Sequence, residues 1–264
     1  MRKFQTFAKI LCMKKVFITG ASSGIGKALA LAYAKRGFTI GLTARREEIL
    51  HDVAQEVKAL GGIPFVYPLD VQDSEQCKSV ADQFMQDADG IDIVIANAGI
   101  GGDDGLFSGT SDQINLILNT DILGVTNTLM PFLPALKAQK SGAVVCISSV
   151  ASFMPLPFHG GYAGAKIAIR MIFDSWRPTL QKYNIKTVSI CPGFVDTPIV
   201  KGPARRFPMK SAEDAAEKFI DAIQRGRTTY VYPWPYHILI WIIRLTPERF
   251  YNWMIKKMFG KPIQ

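Results

Sequence analysis

A chain of 264 residues with 48% hydrophobic side chains is long and apolar enough to bury one large α/β core, which excludes a disordered protein. The net charge of +9 sits at the two ends: residues 1–15 carry Arg2, Lys3, Lys9, Lys14 and Lys15 without an acid, and after Trp234 five cations face Glu248 alone. The body between them is neutral, which argues against a nucleic-acid-binding surface.

The first thirteen residues place Phe4, Phe7 and Leu11 at helical spacing among basic residues. They are too short and interrupted for a signal peptide or a membrane span. A short interfacial amphipathic helix and a frayed leader both fit, with Met13 an alternative start. Lys15 to Thr19 then reads as a buried strand running into Gly20-Ala-Ser-Ser-Gly24-Ile-Gly26 and a helix that stops near Gly37. A strand at Thr39 to Thr43, a charged helix from Arg45 to Gly61-Gly62, and a strand at Ile63 to Leu69 follow. After a helix beyond Ser74, a strand at Ile91 to Ile95 closes on Asn97-Ala98-Gly99. A loop rich in Gly and Asp (101–109) leads to a long helix expected from Asp112 to Leu136.

Val144 to Ile147 is apolar and β-branched, a fifth strand ending on Ser148-Ser149, and Gly160-Gly161 opens a helix carrying Tyr162 and Lys166. A strand at Thr187 to Cys191, a proline-rich loop from Phe194 to Pro208, a helix at Ala212 to Arg225 and a strand at Thr228 to Tyr232 complete the pattern. Strand–helix alternation without a linker predicts one doubly wound parallel sheet in three layers over residues 14–232. Residues 233–264 form a short apolar, basic C-terminal segment. Ile238 to Ile243 is too short to span a bilayer, and Pro247 breaks its pattern. A packing or oligomer element and a membrane-surface element both fit it; the Trp and Tyr residues beside cations support the second.

Four cysteines without a CxxC pair (Cys12, Cys77, Cys146, Cys191) read as reduced, buried side chains and fit a reducing, cytoplasmic location. His51, His159 and His237 stand alone, so no metal site is expected. The glycine turn at a first strand–helix junction suits a dinucleotide, because bare glycines let the backbone approach a pyrophosphate at a helix N-terminus. Beyond the second strand stands Thr43-Ala-Arg45-Arg46, with no acid before Glu47. Arginine there accommodates a 2′-phosphate, so NADP(H) is favoured over NAD. Tyr162 and Lys166, four apart on a helix, share a face, and a serine hydroxyl at the end of the fifth strand adds a proton-transfer group. Ser148 and Ser149 both stand there, and one residue apart on a strand they point to opposite faces.

With these residues together, the chain resembles the short-chain dehydrogenase/reductase family over about residues 14–232. Gly20, Ser22, Ser23, Gly24, Ile25 and Gly26 match its cofactor turn, and Asn97, Ala98 and Gly99 its fourth-strand motif. Ser149, thirteen residues before Tyr162, matches the catalytic spacing with Lys166. Asp70 and Val71 fall where the family contacts adenine, and Pro192, Gly193, Val195 and Thr197 where it holds the nicotinamide end. The resemblance implies a Rossmann-like fold and an NADP(H)-dependent oxidoreductase in which Tyr162 exchanges a proton with the substrate oxygen. Ser149 would hydrogen-bond that oxygen, and Lys166 would favour phenolate and bind the nicotinamide ribose. It also implies a homodimer or homotetramer. Phe153, Met154, Leu156 and Phe158 suggest an apolar carbonyl or alcohol substrate. One departure is Asp121, standing where many members carry an asparagine that orders a relay water; slower or altered chemistry is expected from it. A second departure, Gly164 in place of a common serine, should not affect chemistry. The competing reading is a cofactor-binding regulator or scaffold with impaired catalysis, peripherally attached to a membrane.

Overall fold

The computed structural model describes residues 14–200 and 208–259. The leader 1–13, with both its readings and the Met13 start, lies outside the described residues, as does 201–207 of the Phe194–Pro208 loop. Seven parallel strands form one sheet in the order β3-β2-β1-β4-β5-β6-β7. They are β1 (Lys15–Thr19), β2 (Thr39–Ala44), β3 (Ile63–Pro68), β4 (Ile93–Ala96), β5 (Gly142–Ile147), β6 (Ile185–Pro192) and β7 (Thr229–Tyr232). The helices between them are α1 (Gly24–Ala34), α2 (Glu47–Ala59), α3 (Ser74–Asp87), the helical run α4 (Asp112–Gln139), α5 (Gly160–Gln181) and α6 (Ala212–Gln224). This is the three-layer doubly wound sheet that the alternation predicts, with strand ends shifted by at most two residues, where fraying and pairing set them.

Buried strand residues alternate between two cores, as a period of two requires. Val16, Ile18, Ile93, Ile95, Val145 and Ile147 face α1, α2 and α6. Phe17, Val94, Ala96, Val144 and Cys146 face α3, α4 and α5, where Phe17 packs between the rings of Phe84 and Phe132. Each such fully buried large side chain contributes about 1.5–3 kcal/mol through removal from water. Cys77, Cys146 and Cys191 are all free and buried. Burial, the leading cause for each, pushes the thiols of Cys77 and Cys146 up to about 12 and that of Cys191 up to about 11. They are therefore packing groups and not thiolate nucleophiles.

The long helix expected from Asp112 to Leu136 is present but not regular. It runs to Gln139 and is interrupted by a π turn at Asn119–Leu123 and a 3-10 turn at Met130–Phe132. Pro131 and Pro134 lack the N–H that a regular α ladder needs at the second break. The run is apolar and long enough to cross a membrane, but it buries Val125, Leu129, Phe132 and Leu136 in the core against the sheet.

Two further helices, α7 (Pro235–Leu245) and α8 (Glu248–Phe259), separate at Pro247, where the sequence pattern breaks. They fold back on the carboxyl end of the sheet. Ile240 packs with Val150, Cys191 and Val231, and the Tyr251 hydroxyl donates to the carbonyl of Pro155.

Candidate active site

β1 and β4 are neighbours from which the chain winds outward in both directions, so their carboxyl ends open a crevice. The Gly20–Gly26 turn lies there, and its glycines are required sterically. Gly20 and Gly24 adopt φ of +68° and +55°. A side chain on Gly26 would fall on the Gly20 carbonyl and the Asn97 amide, a backbone obstruction that cannot rotate away. Gly26→Ala should therefore destabilise the fold by about 1–3 kcal/mol and abolish cofactor binding, read as thermal midpoint and NADPH titration. Asn97 braces the turn from β4: its Nδ2 donates to the carbonyls of Thr19 (2.8 Å) and Gly20 (3.2 Å). Thr19 Oγ1 in return accepts from the backbone N–H of Asn97 and Ala98, both at 3.1 Å. At the start of α1, Ser23 provides no side-chain cap and the first turn carries no acid. The N–H groups of that helix end are thus open to an anion.

Of the two arginines, Arg46 reaches the turn, its Nη2 donating to Ser22 Oγ at 3.1 Å. Arg45 is exposed and makes no hydrogen bond to the turn. Asp70 and Val71 follow β3. Asp70 Oδ1 accepts from the Gln72 N–H at 3.0 Å, and the Val71 carbonyl is held by Asn127 Nδ2 at 2.9 Å.

On the other side of the crevice stand β5 and α5. Ser149 is half-buried, and its Oγ accepts from the Ala151 N–H at 3.1 Å, capping the 3-10 turn Val150–Phe153. That leaves its hydroxyl proton to give. Ser148 points the other way, buried, with Oγ donating to the Lys166 carbonyl at 2.9 Å. Lys166 is 4% exposed, and its ammonium has three neighbours. Nζ lies 2.9 Å from Asp121 Oδ2, 3.1 Å from the Ile147 carbonyl and 5.5 Å from the Tyr162 ring centroid. Burial works against the charge, but Asp121 and then Tyr162 outweigh it and hold the Lys166 pKa above the ordinary lysine range.

Asp121 is fully buried in the π turn, and its other oxygen accepts from the Ile100 N–H at 2.8 Å. It therefore meets Lys166 directly, carboxylate on ammonium. π turns recur at functional sites because they re-aim side chains out of the 3.6-residue register. Gly99 completes this arrangement: a Cβ there would stand 3.1 Å from Lys166 Nζ and 3.2 Å from Asp121 Oδ1.

Thr197, buried, sits against the glycine turn, since a Cβ on Gly24 would lie 3.2 Å from its side chain. Its Oγ1 donates to the carbonyl of buried Val195 at 3.2 Å. Gly193 follows Pro192, and its N–H donates to the Tyr232 carbonyl at 2.6 Å. The Tyr236 ring occupies the space a Gly193 side chain would need. The residues singled out by the glycine-turn, Asn-Ala-Gly, Tyr–Lys and Pro–Gly motifs thus line the crevice at the carboxyl end of the central strands.

Two functional residues escape sequence reasoning. Asp104, buried in the Gly/Asp-rich loop, accepts from the N–H of Gly160 (2.5 Å) and Gly161 (2.8 Å), capping the helix that carries Tyr162. Its separation of 56 residues from Gly160 leaves no local capping signal. Tyr236 covers Gly193 from α7, and no short-range pattern announces that contact. The apolar 153–158 stretch is also tied down more than expected. The Phe153 ring has Arg170 at 4.5 Å and Arg244 at 5.5 Å from its centroid, while Met154 packs against the cluster of Val150, Cys191, Val231 and Ile240.

The glycine turn with its open helix end and the Ser149, Tyr162 and Lys166 side chains stand at the carboxyl end of one parallel sheet. The chain belongs to the short-chain dehydrogenase/reductase family: the model described as short chain dehydrogenase matches residues 14–206. The probable oxidoreductase EphD of Mycobacterium tuberculosis is 36% identical over 70% of this chain, which spans about a third (31%) of that protein's length. The 3-oxoacyl-[acyl-carrier-protein] reductase FabG of Thermotoga maritima is 31% identical over 78% of this chain and 82% of its own. An alcohol dehydrogenase from Thermococcus sibiricus, solved with 5-hydroxy-NADP, superposes with a TM-score of 0.74 at 28% identity, covering 83% of this chain and 95% of that one. The family uses nicotinamide cofactors.

Proposed function

We propose that the protein is an NADP(H)-dependent reductase or dehydrogenase that interconverts an apolar carbonyl compound and its alcohol, with Tyr162 as acid and base. The observation that carries this reading is the Lys166 ammonium, buried beside Tyr162 and held between the Ile147 carbonyl and Asp121. A charge so placed has no packing purpose and costs free energy to bury.

The bound cofactor would supply or accept the hydride. Gly20, Ser22, Ser23, Gly24, Ile25 and Gly26 would hold its pyrophosphate on the open end of α1, as their bare backbone and missing cap allow. Asp70 and Val71 would flank the adenine; Asn97, Ala98 and Gly99 would line the crevice floor. Pro192, Gly193, Val195 and Thr197 would border the nicotinamide end. In reduction Tyr162 gives its hydroxyl proton to the carbonyl oxygen while Ser149 donates a hydrogen bond to the same oxygen and stabilises the charge that develops there. In oxidation the proton returns to Tyr162.

Arg46, already turned onto Ser22, supports a 2′-phosphate and hence NADP(H). Arg46→Ala should weaken NADPH binding about tenfold and leave NADH binding nearly unchanged, whereas Arg45→Ala should have the smaller effect. Equal affinities of wild type and Arg46→Ala for NADPH would remove Arg46 as the reader. Half-buried Leu156 and Phe158, beside the Phe153–Met154 wall, support an apolar substrate. The test is NADPH consumption with a panel of apolar ketones. Turnover that depends on Tyr162 supports the enzyme; NADPH binding with no turnover on any of them points to a cofactor-binding regulator.

A further inference from the structure

α7 has two unlike faces. One, through Tyr236 and Ile240, packs on the domain. The opposite one presents Trp234, Ile238, Trp241, Ile242 and Leu245, within an arc of about 100° at 3.6 residues per turn. All five are exposed, Trp234 to 69% and Trp241 to 64%. Beyond Pro247, α8 adds exposed Phe250 and Trp253, their ring centroids 5.4 Å apart, with the Lys257 ammonium 5.3 Å from the Trp253 centroid. A contiguous apolar surface of this kind marks a docking site.

We propose that this helix pair docks the protein on an anionic lipid surface, lying in the interfacial plane with the Trp234–Leu245 face turned into the headgroup boundary. Three features select a bilayer over a protein partner. Three of the four tryptophans of the chain are exposed here, and indoles with one apolar and one polar edge concentrate at membrane–water interfaces. Arg244, Arg249 and Lys257 are exposed around the apolar face against the single acid Glu248, a charge that complements anionic headgroups. The same charge opposes a second copy of this chain, because an isologous contact would set the two cationic rims against each other. α7 has eleven residues, about 16 Å of helix, so it lies on a bilayer and does not cross it.

The placement has a consequence for access. These helices also wall the crevice: Tyr236 covers Gly193, Arg244 stands over Phe153, and Tyr251 bonds to Pro155. Docking would set that wall against the bilayer, where an apolar substrate dissolves. This consequence rests on the proposed substrate class; the docking itself does not.

The test is co-sedimentation of the full chain with sucrose-loaded vesicles, one set of phosphatidylcholine and one with added phosphatidylglycerol. Binding at least tenfold tighter to the anionic vesicles, weakened by salt and accompanied by a blue shift of tryptophan emission, is expected. Ile238→Ser with Trp241→Ser should lower binding more than tenfold while thermal midpoint and NADPH affinity are unchanged. If that variant folds poorly, Arg249→Gln with Lys257→Gln should lower binding to anionic vesicles alone. Absence of vesicle binding by the wild type, or undiminished binding by the serine variant, overturns the proposal. So does a wild-type dimer that the serine variant converts to monomer, which would assign the face to a second copy. NADPH turnover of a water-soluble ketone, measured without vesicles, reports on the proposed reaction separately.

Discussion

Replacing Tyr162 with Phe is expected to lower carbonyl turnover by about 10²–10⁴-fold, the usual contribution of a positioned acid or base. NADPH affinity should stay within about threefold of wild type, because only the phenolic oxygen is removed and binding of the cofactor precedes its use. The ring remains on α5, where Lys166 Nζ stands 5.5 Å from its centroid and keeps its bonds to Ile147 and Asp121. Steady-state kinetics with a fluorescence titration of NADPH separates the two quantities. A parallel collapse of binding would mean that the substitution disturbed the crevice as a whole.

The second large effect is expected at Asp121. Asp121→Ala leaves the Lys166 ammonium buried without its counter-charge, which costs about 3–5 kcal/mol, or on the order of 10 °C in thermal midpoint. The pH dependence has a definite sign. The folded-state pKa of Lys166 is raised, so the pair contributes its full stability below the ordinary lysine range and loses it as pH climbs through the raised value. The deficit of the alanine variant should therefore be largest near neutral pH and shrink in strong alkali, as urea denaturation at both pH values would measure. Asp121→Asn preserves shape while removing the negative charge, and should lower the thermal midpoint in the same direction as the alanine variant but by less, because the amide oxygen can still accept from Lys166. Equal midpoints for wild type and Asp121→Asn would show that the carboxylate charge does not hold the ammonium.

Local signals in the sequence carried most of the fold and the centre of the site. The glycine turn, the Tyr162–Lys166 pair and the strand–helix alternation are short-range patterns, and a period of two suffices to send Ser148 into the core and Ser149 toward the crevice. What escaped them depends on distant contacts. The π turn re-aims Asp121 at Lys166, and a regular helical repeat cannot show that. Asp104 caps α5 across a separation of 56 residues, and Tyr236 reaches Gly193 from a segment whose sequence reads only as apolar and basic. The sequence points to Arg45 as the 2′-phosphate reader, whereas in the structure it is the Arg46 guanidinium that reaches Ser22 Oγ, a contact no local pattern announces.

The reaction itself is tested most directly by following the hydride. NADPH carrying deuterium at its transferring position would be incubated with a panel of apolar ketones, and the products analysed by mass spectrometry. Deuterium on the carbinol carbon of at least one product, formed by wild type and reduced at least a hundredfold in Tyr162→Phe, is the predicted result. Products without deuterium, or equal labelling by wild type and Tyr162→Phe, would contradict hydride transfer with Tyr162 as the proton donor.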